Sequence, residues 1–85
     1  MAKKLFVGNI KWGVTDQELE ELFTPYGVVE EAIIVKDRFS GRSKGFGFVT
    51  MTNDGEADAA VEGLHDKDFG GRNLVVNEAR PKQEF

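Results

Sequence analysis

Apolar residues recur with helical spacing in two acidic segments of the chain. The first stripe consists of Leu19, Leu22, Phe23 and Tyr26, at i, i+3, i+4 and i+7. Thr15-Asp16-Gln17-Glu18 has the pattern of a capping box, with Val14 and Leu19 at the hydrophobic-staple positions. Gly27 is a residue type at which helices commonly end. The pattern predicts a helix that begins after Thr15 and ends before Gly27.

A second helix is predicted by the same signals. Asn53 can cap it, and Glu56 follows three residues later. Its apolar stripe consists of Ala57, Ala60, Val61 and Leu64. Because the acidic residues of both segments fall between the apolar ones, they are expected to form solvated outer faces.

Four further runs have strand character: Lys4–Asn9, Val29–Lys36, Lys44–Met51 and Asn73–Asn77. Turn-rich stretches lie at 37–43, which contains Ser40-Gly41, and at 66–72, which contains Gly70-Gly71. The order predicts an α+β fold, a ferredoxin-like βαββαβ sandwich with two helices on one face of a four-stranded antiparallel sheet. The other face of the sheet is then left in water, and function is expected there.

Strand alternation places phenylalanines on that open face. Leu5 and Val7 share one side of the first strand and Phe6 takes the other. In the third strand the core-facing set is Gly45, Gly47, Val49 and Met51, and the open set is Lys44, Phe46, Phe48 and Thr50. The opposite register would bury the phenylalanines and Lys44 but expose four other apolar side chains, so it is less favourable.

An exposed aromatic cluster on a small protein indicates an interaction site. Three occupants are open at this point: bases of a single-stranded nucleic acid, another protein or a second copy, and the terminal segment Pro81–Phe85 folded over the sheet. Basic residues on strands, loops and ends, outside the predicted helices, favour the first: Lys3, Lys4, Lys11, Arg38, Arg42, Lys44, Arg72, Arg80 and Lys82.

Charge and composition refine this picture. The 85 residues are expected to form one domain, 1–85, with a core of about 4–81 and a short tail, 82–85. The net charge of −4 alone argues against a polyanionic partner. However, residues 16–35 hold six acids and no base, whereas 36–53 hold four bases and one acid, so one face can be basic. The longest apolar run, 32–35, is too short to cross a membrane, and a cytoplasmic location is expected.

Two segments resemble the signature of a known family. Leu5-Phe6-Val7-Gly8-Asn9-Ile10 resembles the hexamer of the RNA recognition motif, and Lys44-Gly45-Phe46-Gly47-Phe48-Val49-Thr50-Met51 resembles its octamer. The likeness covers residues 4–81. The stretches 37–43 and 71–81 are similar to those of small stand-alone RNA-binding proteins of bacteria, cyanobacteria and plants. The sequence departs from the pattern at Met51, where an aromatic is usual, and at His65-Asp66, where Asn-Gly is common.

The resemblance implies roles for individual residues. Phe6 and Phe48 would each stack under one base, Phe46 would pack against the sugars between them, and Lys44 would pair with a phosphate. Residues leaving the last strand, Asn77 to Arg80, would hydrogen-bond base edges. The predicted RNA-binding set is Lys4, Phe6, Asn9, Arg42, Lys44, Phe46, Phe48, Asn77, Glu78, Ala79 and Arg80.

Catalysis is not expected. The chain has one histidine and no cysteine, and no nucleophile–base pair or metal cluster can be assembled from its carboxylates, so no cofactor or metal is predicted. His65 is interpreted as a solvated residue in a turn, and Asp37 as a salt-bridge group in a loop. Trp12 is either a loop anchor or a further stacking surface.

The predicted protein is a monomer that binds single-stranded RNA, with single-stranded DNA as an alternative, and no membrane. It would act as a post-transcriptional regulator or RNA chaperone. The rival interpretation is the same fold used as a protein-binding module through the sheet face.

Overall fold

A computed structural model describes residues 2–11, 13–41 and 43–79 of the chain, with Ser43 and Lys44 described by backbone alone. The elements are β1 (Lys3–Gly8), α1 (Asp16–Phe23), a 3-10 turn (Thr24–Tyr26), β2 (Val29–Lys36), β3 (Ser43–Met51), α2 (Asp54–Leu64), β4 (Asp68–Phe69), β5 (Arg72–Asn73) and β6 (Val75–Glu78).

The four longer strands form one antiparallel sheet in the order β2-β3-β1-β6. Both helices pack on one face of this sheet, which confirms the predicted α+β, ferredoxin-like βαββαβ architecture. The last strand differs from its prediction, since it begins at Val75 rather than Asn73. Arg72 and Asn73 instead pair with Phe69 and Asp68 in a separate two-stranded hairpin within the turn-rich stretch.

Helix α1 begins at the capping box that the sequence predicts. The Thr15 hydroxyl accepts a hydrogen bond from the Glu18 amide at 3.1 Å, and the Glu18 carboxylate accepts one from the Thr15 amide at 2.9 Å. Regular helix ends at Phe23, earlier than the apolar stripe suggests. The 3-10 turn, which contains Pro25, carries the chain on to Tyr26, and Gly27 follows as its cap.

The core lies between the helices and the covered sheet face. Its fully buried side chains include Leu5, Val7, Leu19, Phe23, Val49, Met51, Ala57, Ala60, Leu64 and Val76. Gly47 is required where β3 meets β2, because a Cβ there would overlap the carbonyl oxygen of Ile33. The nearest neighbour of Gly47 is thus the backbone of the adjoining strand.

Side chains from outside the sheet bond outward-facing amides of both edge strands. The Asp16 carboxylate accepts the Ile34 amide of β2 at 2.8 Å. On β6 the Val76 amide donates to His65 Nδ1 at 3.1 Å, so this exposed imidazole does more than the solvated turn residue that was predicted. Such partners reduce the tendency of edge strands to pair with other chains. In the part of the chain that is described, neither helix is long and apolar enough to span a membrane.

Candidate nucleic-acid interface

Three phenylalanine rings form one cluster on the sheet face opposite the helices. Phe6 of β1 lies directly across from Phe48 of β3, and Phe46 lies across from Gly8. The ring centres are 5.7 Å apart for Phe6 and Phe46, 5.9 Å for Phe6 and Phe48, and 6.2 Å for Phe46 and Phe48. Each ring is half-buried. Edge-on and tilted contacts fix the rings while leaving apolar surface available to a ligand.

The cluster belongs to a row that crosses all four strands. Pairing places Ile33 of β2, Phe48, Phe6 and Asn77 of β6 side by side. Ile33 is 39% exposed, so the apolar surface extends beyond the phenylalanines to the β2 edge. Asn77 supplies the polar end of the row, and its amide group makes no hydrogen bond within the described residues. The row therefore combines a flat apolar platform with a polar amide group at one edge.

A lysine ammonium group lies on this platform. Lys4 precedes Phe6 by two positions on β1, and its Nζ is 4.8 Å from the centre of the Phe48 ring. A cation above an aromatic ring is attracted by the negative ring face. Lys4, which was predicted as an RNA contact, is thus placed over the platform.

Gly8 provides room for the Phe6 ring. A Cβ at Gly8 would lie 2.8 Å from Phe6 Cε2 and 3.1 Å from Cζ, so the ring leans over this glycine. Any larger residue at Gly8 would force the ring to move. The glycine of the hexamer therefore determines the angle at which the Phe6 ring faces the open surface.

A recess of about 480 Å³ adjoins the cluster at the end of β1. It is lined by Phe6, Gly8, Asn9, Ile10, Gly45, Phe46, Arg72 and Val75. Asn9 adopts a positive φ of 58°, and its side-chain amide donates to the Asn73 carbonyl at 2.8 Å. The Asn9 side-chain oxygen accepts from Arg72 Nη1 at 3.1 Å. Asn9, predicted as a direct RNA contact, thus ties β5 to β1.

The residues after Asn77 are divided between the two sides of the sheet. The Ala79 amide donates to the Lys4 carbonyl at 2.8 Å and so continues the pairing with β1. Glu78 lies opposite Leu5, and its carboxylate is 3.9 Å from Lys3 Nζ. Because neighbours in a strand alternate, the Glu78 side chain points toward the helix layer. Glu78 can therefore face the predicted RNA only through its backbone.

Other predicted contacts cannot be placed. Arg42 and Arg80 lie outside the described residues, as do Trp12 and the segment Pro81–Phe85, and of Lys44 only the backbone is described.

Charged groups of both signs lie on each side of the sheet: pairing aligns Glu31 with Thr50 and Lys4 on the open side, whereas the acids of both helices lie on the other side. On the helix side, Lys3 Nζ bonds the Asp58 carboxylate of α2 at 2.8 Å. This hydrogen bond, with the nearby negative charges of Asp58, Glu78 and Asp54, raises the pKa of Lys3. No group of three or more histidine and acidic side chains in the described residues could hold a metal ion.

The β2–β3 loop carries an aromatic residue that strand alternation could not reveal. Phe39 is 93% exposed. Its amide and that of Ser40 donate to the Asp37 carboxylate at 2.7 and 3.0 Å, which fixes the turn. Asp37, predicted as a salt-bridge group, therefore also orders the loop backbone.

Arg72 and Val75 of the recess were also missed as site residues. The sequence signal that could have found Val75 is its alternation with Val76, which is core-facing. No pattern in the sequence indicates that Asn9 holds Arg72.

The chain matches known proteins over most of its length. The family model described as "RNA recognition motif" matches residues 5–75. Glycine-rich RNA-binding protein 1 of Mycosarcoma maydis is 45% identical over 96% of this chain and 47% of its own length. Putative RNA-binding protein RbpF of Nostoc sp. is 41% identical over 94% of this chain and 76% of its own. The chain spans about half the length, or less, of the first of these relatives and of the 29 kDa chloroplastic ribonucleoprotein of Arabidopsis thaliana, of which it covers 25%.

Solved structures agree with this match. The crystal structure of RNA Binding Protein PG1 has a TM-score of 0.91 and 41% identity, covering 96% of this chain and 99% of that one. The Sex-lethal RNA recognition domains of Drosophila melanogaster give a TM-score of 0.87 at 30% identity, covering 93% of this chain and 50% of theirs. Together with the sheet order and the aromatic face, these matches support RNA binding. The chain belongs to the RNA recognition motif family.

Proposed function

We propose that this chain binds single-stranded RNA on the open sheet face, with one base stacked on Phe6 and one on Phe48. The observation that carries the proposal is the cluster of three half-buried rings, mutually in contact, on the face that the helices leave uncovered. Unpaired bases can stack on such rings, whereas bases inside a duplex cannot reach them. Phe46 contacts both of these rings, and the resemblance assigns it to pack against the connecting sugars.

The positions of lysine residues also support the open sheet face as the RNA-binding surface. Lys4 lies over Phe48, and Lys44 stands two residues before Phe46 on β3. Lys4 is available to pair with a phosphate, and the resemblance assigns the same role to Lys44. The acids of α1 and α2 lie on the other side of the sheet, so an RNA strand is repelled from the helix side.

The contact set supports weak binding by this domain alone. Base stacking on an aromatic side chain contributes about 1–3 kcal/mol per base, so two stacked bases, after the cost of ordering the strand, give dissociation constants on the order of micromolar or weaker. Affinity of that size suits transient contact, as a post-transcriptional regulator or RNA chaperone would make, and we propose that the protein acts as a monomer. The cytoplasmic location stays a prediction.

NMR titration tests the proposal. Isotope-labelled protein is titrated with a random-sequence RNA hexamer at two salt concentrations. We expect shift changes centred on Phe6, Phe46, Phe48 and Asn77, with affinity falling as salt rises. A parallel titration with the DNA hexamer compares the two sugars. A folded protein whose sheet resonances do not move would contradict RNA binding and favour the protein-binding alternative.

A further inference from the structure

The recess beside Phe6 differs from the stacking platform in shape and in polarity. Its volume of about 480 Å³ falls in the range of small-molecule sites, roughly 300–1,000 Å³. Phe6, Phe46 and Val75 provide apolar walls, and Ile10, which is 2% exposed, forms the floor of the recess. Only two lining side chains, Asn9 and Arg72, are polar. The recess thus combines apolar side-chain walls with polar backbone and side-chain groups, an arrangement that suits a flat heterocycle with hydrogen-bonding edges.

The guanidinium group of Arg72 is held in a defined orientation at this polar end. Its Nη1 donates to Asn9 Oδ1 at 3.1 Å, and Asn9 is itself held by its bond to the Asn73 carbonyl at 2.8 Å. The hairpin fixes the Arg72 backbone by pairing it with Phe69. Arg72 makes no ion pair with the acidic residues that the structure describes. Its remaining N–H groups are therefore available to a ligand and already oriented.

We propose that this recess binds a guanine base of the RNA, next to the base stacked on Phe6, and that Arg72 recognises it. A guanidinium fork offers two parallel donors, and guanine presents two adjacent acceptors, O6 and N7. Adenine places an amino donor beside N7 and would oppose one of the Arg72 donors. The inference deepens the proposed function and rests on it, because the recess opens on the same sheet face. Asn9 acts as a positioning residue for Arg72.

The direct test compares RNA hexamers that differ in one base. Hexauridine is the reference, and the probes carry one guanosine, adenosine or 7-deazaguanosine, the last lacking N7. We expect the guanosine probe to bind wild-type protein about tenfold more tightly than the adenosine probe, with most of that preference lost for 7-deazaguanosine. NMR should show the extra shifts at Val75 and at the Arg72 side chain.

Three variants separate recognition from charge. Arg72→Lys keeps the positive charge but loses the fork, so the guanosine preference should fall close to one, with the guanosine probe losing far more affinity than hexauridine. Asn9→Gly suits the positive φ and removes the positioning amide, and it should reduce the preference by less than Arg72→Lys does. Arg38→Gln, which removes one positive charge from an exposed loop residue, is the control for charge alone. It should weaken all probes alike and leave the preference intact.

The outcomes distinguish the two proposals. Equal binding of the guanosine, adenosine and 7-deazaguanosine probes, with shifts at Phe6 and Phe48, would overturn the guanine site and leave the stacking function standing. Equal weakening of all probes by Arg72→Lys would overturn it as well and assign Arg72 to a phosphate. If no probe, hexauridine included, perturbs the sheet, both proposals fail.

Discussion

The ammonium nitrogen of Lys4 lies 4.8 Å from the centre of the Phe48 ring, on the sheet face that the helices leave open. The ring proposed to stack under a base thus already holds a cation at its surface. Under the proposed function, an incoming nucleotide would meet this charge first, and the flexible ammonium group would turn from the ring toward the phosphate as the base takes its place. Charge and stacking would then be coupled at one strand pair, β1 with β3.

Replacing Lys4 by methionine should weaken RNA binding without unfolding the protein. The variant keeps the aliphatic stem and removes one phosphate contact, so we expect a loss of a few-fold in affinity at low salt. The slope of log affinity against log salt should become shallower by about 0.7. Titrations at several salt concentrations measure both quantities.

Lys67→Met serves as the charge-matched control, since Lys67 is exposed in the turn after α2 and its described hydrogen bonds join Leu64 and Leu74, not the aromatic cluster. Equal slopes for the Lys4 and Lys67 variants would contradict a phosphate contact by Lys4.

Gly8→Ala should impair RNA binding through the ring beside it. The added Cβ would lie 2.8 Å from Phe6 Cε2, so the ring has to rotate away from its present angle. We expect a several-fold loss of affinity together with shifted Phe6 ring resonances, while the melting temperature changes little. Unaltered affinity with a displaced ring would show that the Phe6 orientation is unimportant for binding.

Gly47→Ala should act on stability. A Cβ at this position would overlap the Ile33 carbonyl oxygen, and a strand backbone cannot yield as a side-chain tip can. Overpacking of this kind costs about 1–3 kcal/mol of unfolding free energy. For a domain of this size the melting temperature should fall by at least about 4 °C. Thermal unfolding followed by circular dichroism measures the change, and an unaltered melting temperature would refute the close contact.

The ion pair between Lys3 and Asp58 should stabilise the folded protein at neutral pH, and this stabilisation should be lost at alkaline pH. The hydrogen bond to Asp58 raises the pKa of Lys3 in the folded protein above its ordinary value of 10.5. The unfolded chain therefore loses this proton first, and the stabilisation is present below pH 10.5 and is lost as the pH rises through the folded-state pKa.

Comparison of wild type with Lys3→Met checks this. The difference in stability should be constant from neutral pH to about pH 10 and shrink above it. A difference in stability between wild type and Lys3→Met that grows above pH 10 would contradict this role of the ion pair.

Much of this architecture could be predicted from the sequence because its signals are local. The capping box at Thr15 and the alternation around Phe6 each depend on neighbouring residues, and the structure contains both features. The boundary of β6 was predicted two residues early, because Arg72 and Asn73 have strand character but pair with β4 instead of β1.

Contacts between distant segments were beyond prediction. The bond from Asn9 to Arg72 joins residues 63 positions apart, and the orientation of Arg72 depends on a hairpin that the pattern did not indicate. The direction of the Glu78 side chain was predictable in principle, since Glu78 is the neighbour of Asn77 in one strand. The resemblance to the RNA recognition motif placed Glu78 in the binding region, but it did not indicate which face of the sheet the Glu78 side chain occupies.

Truncation of the two stacking rings tests the central claim most directly. Phe6→Ala and Phe48→Ala are compared with wild type in RNA hexamer binding, and Val28→Ala, which truncates a 65% exposed apolar side chain outside the sheet face, is the control. Each phenylalanine variant should lose about 1–3 kcal/mol of binding free energy, roughly 5- to 150-fold in affinity, with the backbone amide spectrum preserved. Val28→Ala should bind as wild type does. Wild-type affinity in both phenylalanine variants would contradict base stacking as the basis of binding.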